Sequence, residues 1–307
     1  MKVRRPAITI VLFLSLGLLW GCFSPPSSND KVKVTASIFP LADIAASVGG
    51  DWVEVQVLIP AGASPHVFEP TPEAFRQFAK TRLFVMVGAG LEFWAQELIA
   101  AVADETPAVV RAADGVQLIQ MTAHQEEGSE PHLHDHGLGN PHVWLDPMVA
   151  ISLAENIGQA LMHLDPEHSQ EYGEHLTTYQ EQLRALDEHI RETAGQFRIK
   201  EYVAFHPAWS YFARRYGLVE VGVIQESPGR EPTPKHLQSI IRTIQDHGIR
   251  AVFAEPQFNP SAASVLASEA NVRVLILDPL GGPDLPGRDS YIGLMEYNLK
   301  MIREAME

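Results

Sequence analysis

The 307-residue chain is 46% hydrophobic and 20% charged, with one cysteine and a formal net charge of −15. That composition supports real hydrophobic cores and excludes collagen-like and long disordered classes, and the acidity argues against a nucleic-acid partner. The length allows one large domain or two of ordinary size.

Lys2, Arg4 and Arg5 precede an uncharged, mostly apolar run over 7–20. The run has signal-peptide length and falls short of the about 20 residues that a membrane-spanning helix needs. It ends in Leu19-Trp20-Gly21-Cys22. Leu, a small residue and Cys resemble a bacterial lipobox, although Trp20 is bulky for its position. Residues 1–21 therefore read as a signal peptide and Cys22 as a lipidation site. The alternative is an ordinary signal with an incidental cysteine. A lipidated Cys22 leaves no thiol for a disulfide or a metal. Acyl chains hold such a protein on a membrane surface rather than through it. It is expected outside the cytoplasm, in the periplasm or at the cell surface, with the Pro/Ser-rich residues 22–31 as a tether.

Short β-rich runs then alternate with helical patterns, which argues for an α/β fold. Strands are predicted over 32–37, 53–59 and 83–87, with a further short strand within 109–118. Helices are predicted over 41–48 and 72–79. Residues 120–141 are polar, contain Gly and Pro, and read as a loop. This loop holds His124, His132, His134 and His136. Tyr172, Leu176, Tyr179, Leu183, Leu186 and Ile190 follow at spacings of four and three, one apolar stripe on a long helix over 166–197. About 28 residues span roughly 42 Å, long enough to bridge two lobes; a coiled-coil dimer seam is the alternative. Alternation resumes with strands over 202–206, 219–224, 251–254 and 272–277. Helices are predicted over 209–216, 234–246 with Thr233 as N-cap, 262–270 and 291–307. The expected organisation is an N-terminal α/β lobe over 32–160, a linking helix over 161–196 and a C-terminal α/β lobe over 197–307.

Four side chains stand out as metal ligands: His66 in SPHVFEP, His142 in NPHVWLDP, His206 in AFHP and Asp278 in LDPLGG. Each has proline as an immediate neighbour, and proline restricts both itself and the residue before it. Side chains held this way suit a metal, whose selectivity depends on geometry. His206 and Asp278 close predicted strands and His66 follows one, where open α/β sheets bind ligands. Two candidates belong to each lobe, so a joint site lies in the cleft between them. Three imidazoles and one carboxylate make a complete tetrahedral Zn²⁺ shell. Singly, each residue reads equally as a hydrogen-bonded histidine or a turn-forming aspartate. Glu255, also at a strand end, fits an orienting partner for a ligand histidine or a turn cap. Asp146 reads as structural, and Phe68, Trp144 and Trp209 as packing walls.

The motifs PHVFEP, NPHVWLDP, FHPAWSYFARRYGL, AVFAEPQF and LDPLGG, in this order and spacing, resemble the solute-binding lipoproteins of bacterial zinc and manganese ABC transporters. The resemblance covers essentially the whole mature chain. It implies two lobes joined by a rigid helix, a metal held by His66, His142, His206 and Asp278, and a monomer that delivers it to a membrane permease. Manganese members usually carry a carboxylate where this chain has His206, which favours Zn²⁺, with Mn²⁺ or iron as alternatives. Zinc members often have a longer His-rich loop, so an auxiliary metal role for His124, His132, His134 and His136 stands beside a plain solvated loop. A surface adhesin with structural zinc is a second reading. A zinc hydrolase, with water on the metal and Asp278 or Glu255 as base, is a remote third, because HExxH, GxSxG and phosphate-loop motifs are all missing. No enzymatic activity is expected.

Overall fold

The computed structural model describes residues 31–102, 106–120, 139–226 and 229–307. The expected signal peptide, Cys22, most of the tether and the four loop histidines lie outside these residues. Among the described residues no helix is long and apolar enough to cross a membrane.

The N-terminal half runs β1 (Val32–Ala36), α1 (Phe39–Gly49), β2 (Val53–Val57), α2 (Pro72–Phe78), β3 (Leu83–Met86), α3 (Ala95–Ala100) and β4 (Ala108–Arg111). Then come α4 (Pro147–Leu164) and α5 (Ser169–Gly195). The C-terminal half runs β5 (Glu201–Ala204), α6 (Ser210–Tyr216), β6 (Val219–Val223), α7 (Pro234–Asp246), β7 (Ala251–Ala254), α8 (Ser261–Ala270), β8 (Arg273–Ile276) and α9 (Tyr291–Met306). The two sheets are wholly parallel and share one topology, β2-β1-β3-β4 and β6-β5-β7-β8. The expected two-lobe α/β architecture with a long joining helix is what the chain adopts.

Helix starts follow local chemistry. Thr71, Asp146 and Thr233 each precede a proline at the first helical turn, and each side chain accepts a backbone N–H from that turn. Proline loses nothing there, because that N–H has no helical partner. Ser290 caps α9 in the same way, accepting from Gly293 N.

Three features differ from the sequence reading, the first being α3 (Ala95–Ala100), which was not expected. A helix over 147–164 was not expected; α4 packs against α5, α1 and β4, and its last turn falls within the segment expected to be the linker. The long helix begins at Ser169, preceded by the 3-10 turn Pro166–His168. The expected stripe is its buried face: Tyr172, Tyr179, Leu183, Leu186 and Ile190 are buried, and Leu176 packs against the same core. That core runs from β1 and α1 through α4 and α5 into α6 and α9, so one apolar body joins both sheets. A second, smaller core lies around β5, α7 and α8.

Candidate metal centre

In both sheets the strand order reverses between the two middle strands, so the crossover connections leave on opposite sides there. Ligands favour the carboxyl ends of strands at that point. His206 lies two residues past β5 and Glu255 directly past β7, the two middle strands of the second sheet. From the other lobe, His66 sits in the 3-10 turn Pro65–Val67 and His142 precedes the 3-10 turn Val143–Leu145. That second turn leads into Asp146 and α4, whose packing fixes it.

The three histidines converge. His142 Nε2 lies 3.0 Å from His66 Nε2 and 3.1 Å from His206 Nε2. The potential ligand atoms of all three lie within 4.8 Å of one another. Tetrahedral Zn²⁺ with bonds of about 2.0–2.1 Å sets its nitrogens about 3.3–3.4 Å apart. For these two pairs an expansion of a few tenths of an ångström reaches the spacing that the ion sets.

The far side of two rings decides which nitrogen is free. His206 Nδ1 contacts Glu255 Oε1 at 2.7 Å, and His142 Nδ1 contacts Asn140 Oδ1 at 2.8 Å. A carboxylate only accepts, so Nδ1 of His206 carries a proton, and in the neutral ring Nε2 is the nitrogen left to bind a metal. Asn140 imposes the same arrangement on His142, because its amide nitrogen donates to the Pro207 carbonyl and leaves Oδ1 for the ring. With both rings neutral and protonated on Nδ1, the two Nε2 lone pairs face each other across 3.1 Å, an arrangement that a cation between them would turn into coordination. Burial, then the neighbouring His206 and His66, pull the His142 pKa well below its ordinary value, which keeps the ring neutral and able to bind metal.

The surroundings shield two of the rings from solvent. His142 and His206 are buried, Trp144 packs on His142, and Phe258 packs edge-on against His206. Trp144 is itself held, its Nε1 donating to Pro279 O. Glu255 lines the same cavity, and its buried Oε2 has no hydrogen-bond partner among the described residues. An unpaired carboxylate oxygen in such a place is costly, and a nearby cation offsets that cost.

Asp278, expected as the fourth ligand, does not join the cluster. It is 1% exposed, and both of its carboxylate oxygens have partners. Oδ1 accepts from Leu280 N, Gly281 N and Gln257 Nε2, each at 3.0 Å, and Oδ2 is ion-paired with Arg288 at 2.9 Å. Gly281 makes this loop possible: its φ is +66°, and a Cβ there would lie 2.6 Å from Arg288 O. Glu255 Oε1 lies against His206 Nδ1, the contact that an orienting partner would make. Asp146 caps α4, Trp144 and Trp209 are buried walls, and Phe68 packs edge-on against Trp94. Asn140 was missed by sequence reasoning. Its signal was the Asn-Pro-His run, which puts a short amide beside the histidine.

A family model described as zinc-uptake complex component A, periplasmic, matches residues 34–305. The zinc-binding lipoprotein AdcA of Streptococcus pneumoniae is 29% identical over 298 residues, covering 94% of this chain and 58% of AdcA. The chain thus spans about three-fifths of the AdcA proteins that it matches. The high-affinity zinc uptake system protein ZnuA of Bacillus subtilis is 28% identical, covering 92% of this chain and 90% of its own length. Among solved structures, a crystal structure of ZnuA has a TM-score of 0.79 and 29% identity, over 91% of this chain and 100% of that one. The laminin-binding protein of Streptococcus agalactiae, described as bifunctional with adhesin and metal-transporting activity, has a TM-score of 0.77 and 28% identity over 90% of this chain and 100% of its own.

Proposed function

The chain belongs to the zinc-uptake complex component A family, and from that premise we propose that it is the extracytoplasmic Zn²⁺-binding component of an ABC metal-uptake transporter. The observation that carries the reading is the convergence of three imidazole Nε2 atoms, drawn from both lobes, in a cleft that keeps two of the rings buried. Nitrogen donors suit zinc better than manganese, which prefers oxygen. His206, His142 and His66 hold the ion as cargo, and Glu255 and Asn140 orient two of them. The names of its zinc-binding and zinc-uptake relatives support this cargo. The family consists of uptake components rather than enzymes, so the chain binds and passes on its ion. Cys22 carries the lipid anchor that keeps the protein beside a membrane permease, its partner in delivery. The protein works as a monomer. The laminin-binding likeness leaves adhesion as a second activity on the same fold.

The test is competitive titration of the metal-stripped chain, starting after Cys22, with Zn²⁺ and Mn²⁺. One tight Zn²⁺ per chain that Mn²⁺ does not displace is expected, with roughly 100-fold or greater weakening in His206→Ala at unchanged fold, one of three ligands being lost. Preferential Mn²⁺ binding would overturn the metal assignment. The absence of any tight divalent site would overturn the function.

A further inference from the structure

We infer that Asn140 is a positioning residue that sets the affinity of the metal site, fixing the His142 tautomer with one end of its amide and tying the His206 loop with the other. The inference rests on the zinc-binding reading above. Asn140 is 2% exposed and every polar group it has is used. Its Oδ1 accepts from the His142 backbone N–H at 3.0 Å and from the His142 ring at 2.8 Å. Its Nδ2 donates to Pro207 O at 2.6 Å. Its backbone N–H donates to Ile119 O, and its carbonyl accepts from Tyr211 Oη, which in turn accepts from Ile119 N. The residue therefore stands where the N-terminal lobe, the His142 segment, α6 and the loop carrying His206 meet.

The direction of the amide is set by its partners. A carbonyl can only accept, so the NH₂ faces Pro207 and the oxygen faces His142. The oxygen then holds the proton on Nδ1 of His142 and leaves Nε2 bare. Free neutral histidine favours the opposite tautomer, with the proton on the nitrogen that must bind metal. Without Asn140, the ion has to pay that tautomeric difference on entry. The NH₂ end acts on geometry instead: Pro207 directly follows His206, so this bond helps set the 3.1 Å between the two Nε2 atoms. Such outer partners commonly contribute 10- to 100-fold in metal affinity.

Asn140→Ala removes both ends. Asn140→Asp keeps an acceptor for His142 but puts an oxygen against the Pro207 carbonyl, so the two roles separate. The experiment compares wild type, N140A and N140D, each as the mature chain starting after Cys22. The His142 tautomer is read in metal-free protein by long-range ¹H–¹⁵N NMR, and Zn²⁺ affinity by competition titration. Wild type is expected to carry the proton on Nδ1. N140A is expected to lose that preference and to bind Zn²⁺ roughly 10- to 100-fold more weakly. N140D is expected to keep the tautomer and to lose less affinity than N140A. Should N140A not fold, Asn140→Ser, with a hydroxyl too short to serve both Pro207 and the ring, takes its place. An alanine or serine variant with His142 still protonated on Nδ1, or with affinity within about threefold of wild type, overturns the inference. So does an N140D that has lost the tautomer. A wild type that binds no Zn²⁺ sinks the function proposed above instead, and the tautomer comparison in metal-free protein still decides the role of Asn140.

Discussion

A carboxylate can serve a metal only with a lone pair to give. Asp278 directs its oxygens at two backbone amides, Gln257 and Arg288. Its backbone is tied as well, to both ends of the Asn298 amide in α9. Asp278 thus builds the loop that carries Pro279 and Leu280 to the cavity wall. Asp278→Asn should leave Zn²⁺ affinity within about tenfold of wild type, while leaving Arg288 without its charge partner at a cost of about 2–4 kcal/mol. Titration and chemical denaturation measure the two effects. A 100-fold loss of affinity at full stability would make Asp278 a ligand after all. The sequence signal had been shared by all four residues: a ligand-type side chain beside proline, with all but His142 also at or after a strand end. That signal reports a rigid turn. It marks a ligand only where the side chain points into the cleft, and for Asp278 the turn itself used the carboxylate. Asn140 was invisible for the converse reason, since an amide is not a ligand type and its importance lies in what it touches.

At the scale of the element, α5 does more than bridge. Asp187, buried on its inner face, accepts from Arg215 and Tyr216 of α6 and from Arg191 one turn on. Arg215 Nε also lies 3.4 Å from Asp146, the cap of α4. The helix that follows His206 is therefore pinned to α5, and through the Arg215 guanidinium it is tied to the cap of the helix that follows His142. Burial pushes the Asp187 carboxyl up, but the donors from Arg215, Arg191 and Tyr216 outweigh it and bring it down to about 2. A depressed carboxylate adds stability that is present above the unfolded value of about 3.9 and is lost as pH falls through the folded one. Asp187→Asn should cost about 1–3 kcal/mol at pH 7, and the gap to wild type should narrow as pH falls from about 4 towards 2. A gap that does not change with pH would show that the charge is not what matters. The stripe on α5 was legible because one face of this helix is polar. α4 was not, because its apolar residues spread over several faces: it lies between α5, α1 and β4, and sandwiched helices lose the one-sided period.

Across the whole molecule, the shared core decides how the lobes behave. One apolar body runs from β1 to α9, and polar ties cross between the halves beside the site. Trp144 donates to Pro279 O, and Tyr291 donates to Trp144 O while its own amide donates to Asp43. Lobes joined this way have little freedom to swing, so capture depends on local rearrangement of the histidines. Thermal unfolding should then be a single transition. Free Zn²⁺ at 100 times its Kd should stabilise the folded chain by about 2.7 kcal/mol and raise Tm accordingly. pH enters through His142. Its folded pKa lies well below the ordinary value, so below about 6.5 the unfolded chain takes up a proton that the folded chain refuses. Stability from this group is full above that pH and declines as pH falls. The metal also competes with protons for imidazole nitrogen. The metal-free protein should therefore lose stability below pH 6.5, and the Tm increment at fixed total Zn²⁺ should shrink over the same range. Calorimetry with and without metal between pH 5 and 8 separates the two slopes. Two resolved transitions would mean that the lobes fold apart, and that closure of one lobe on the other has to enter the account of how the ion is held.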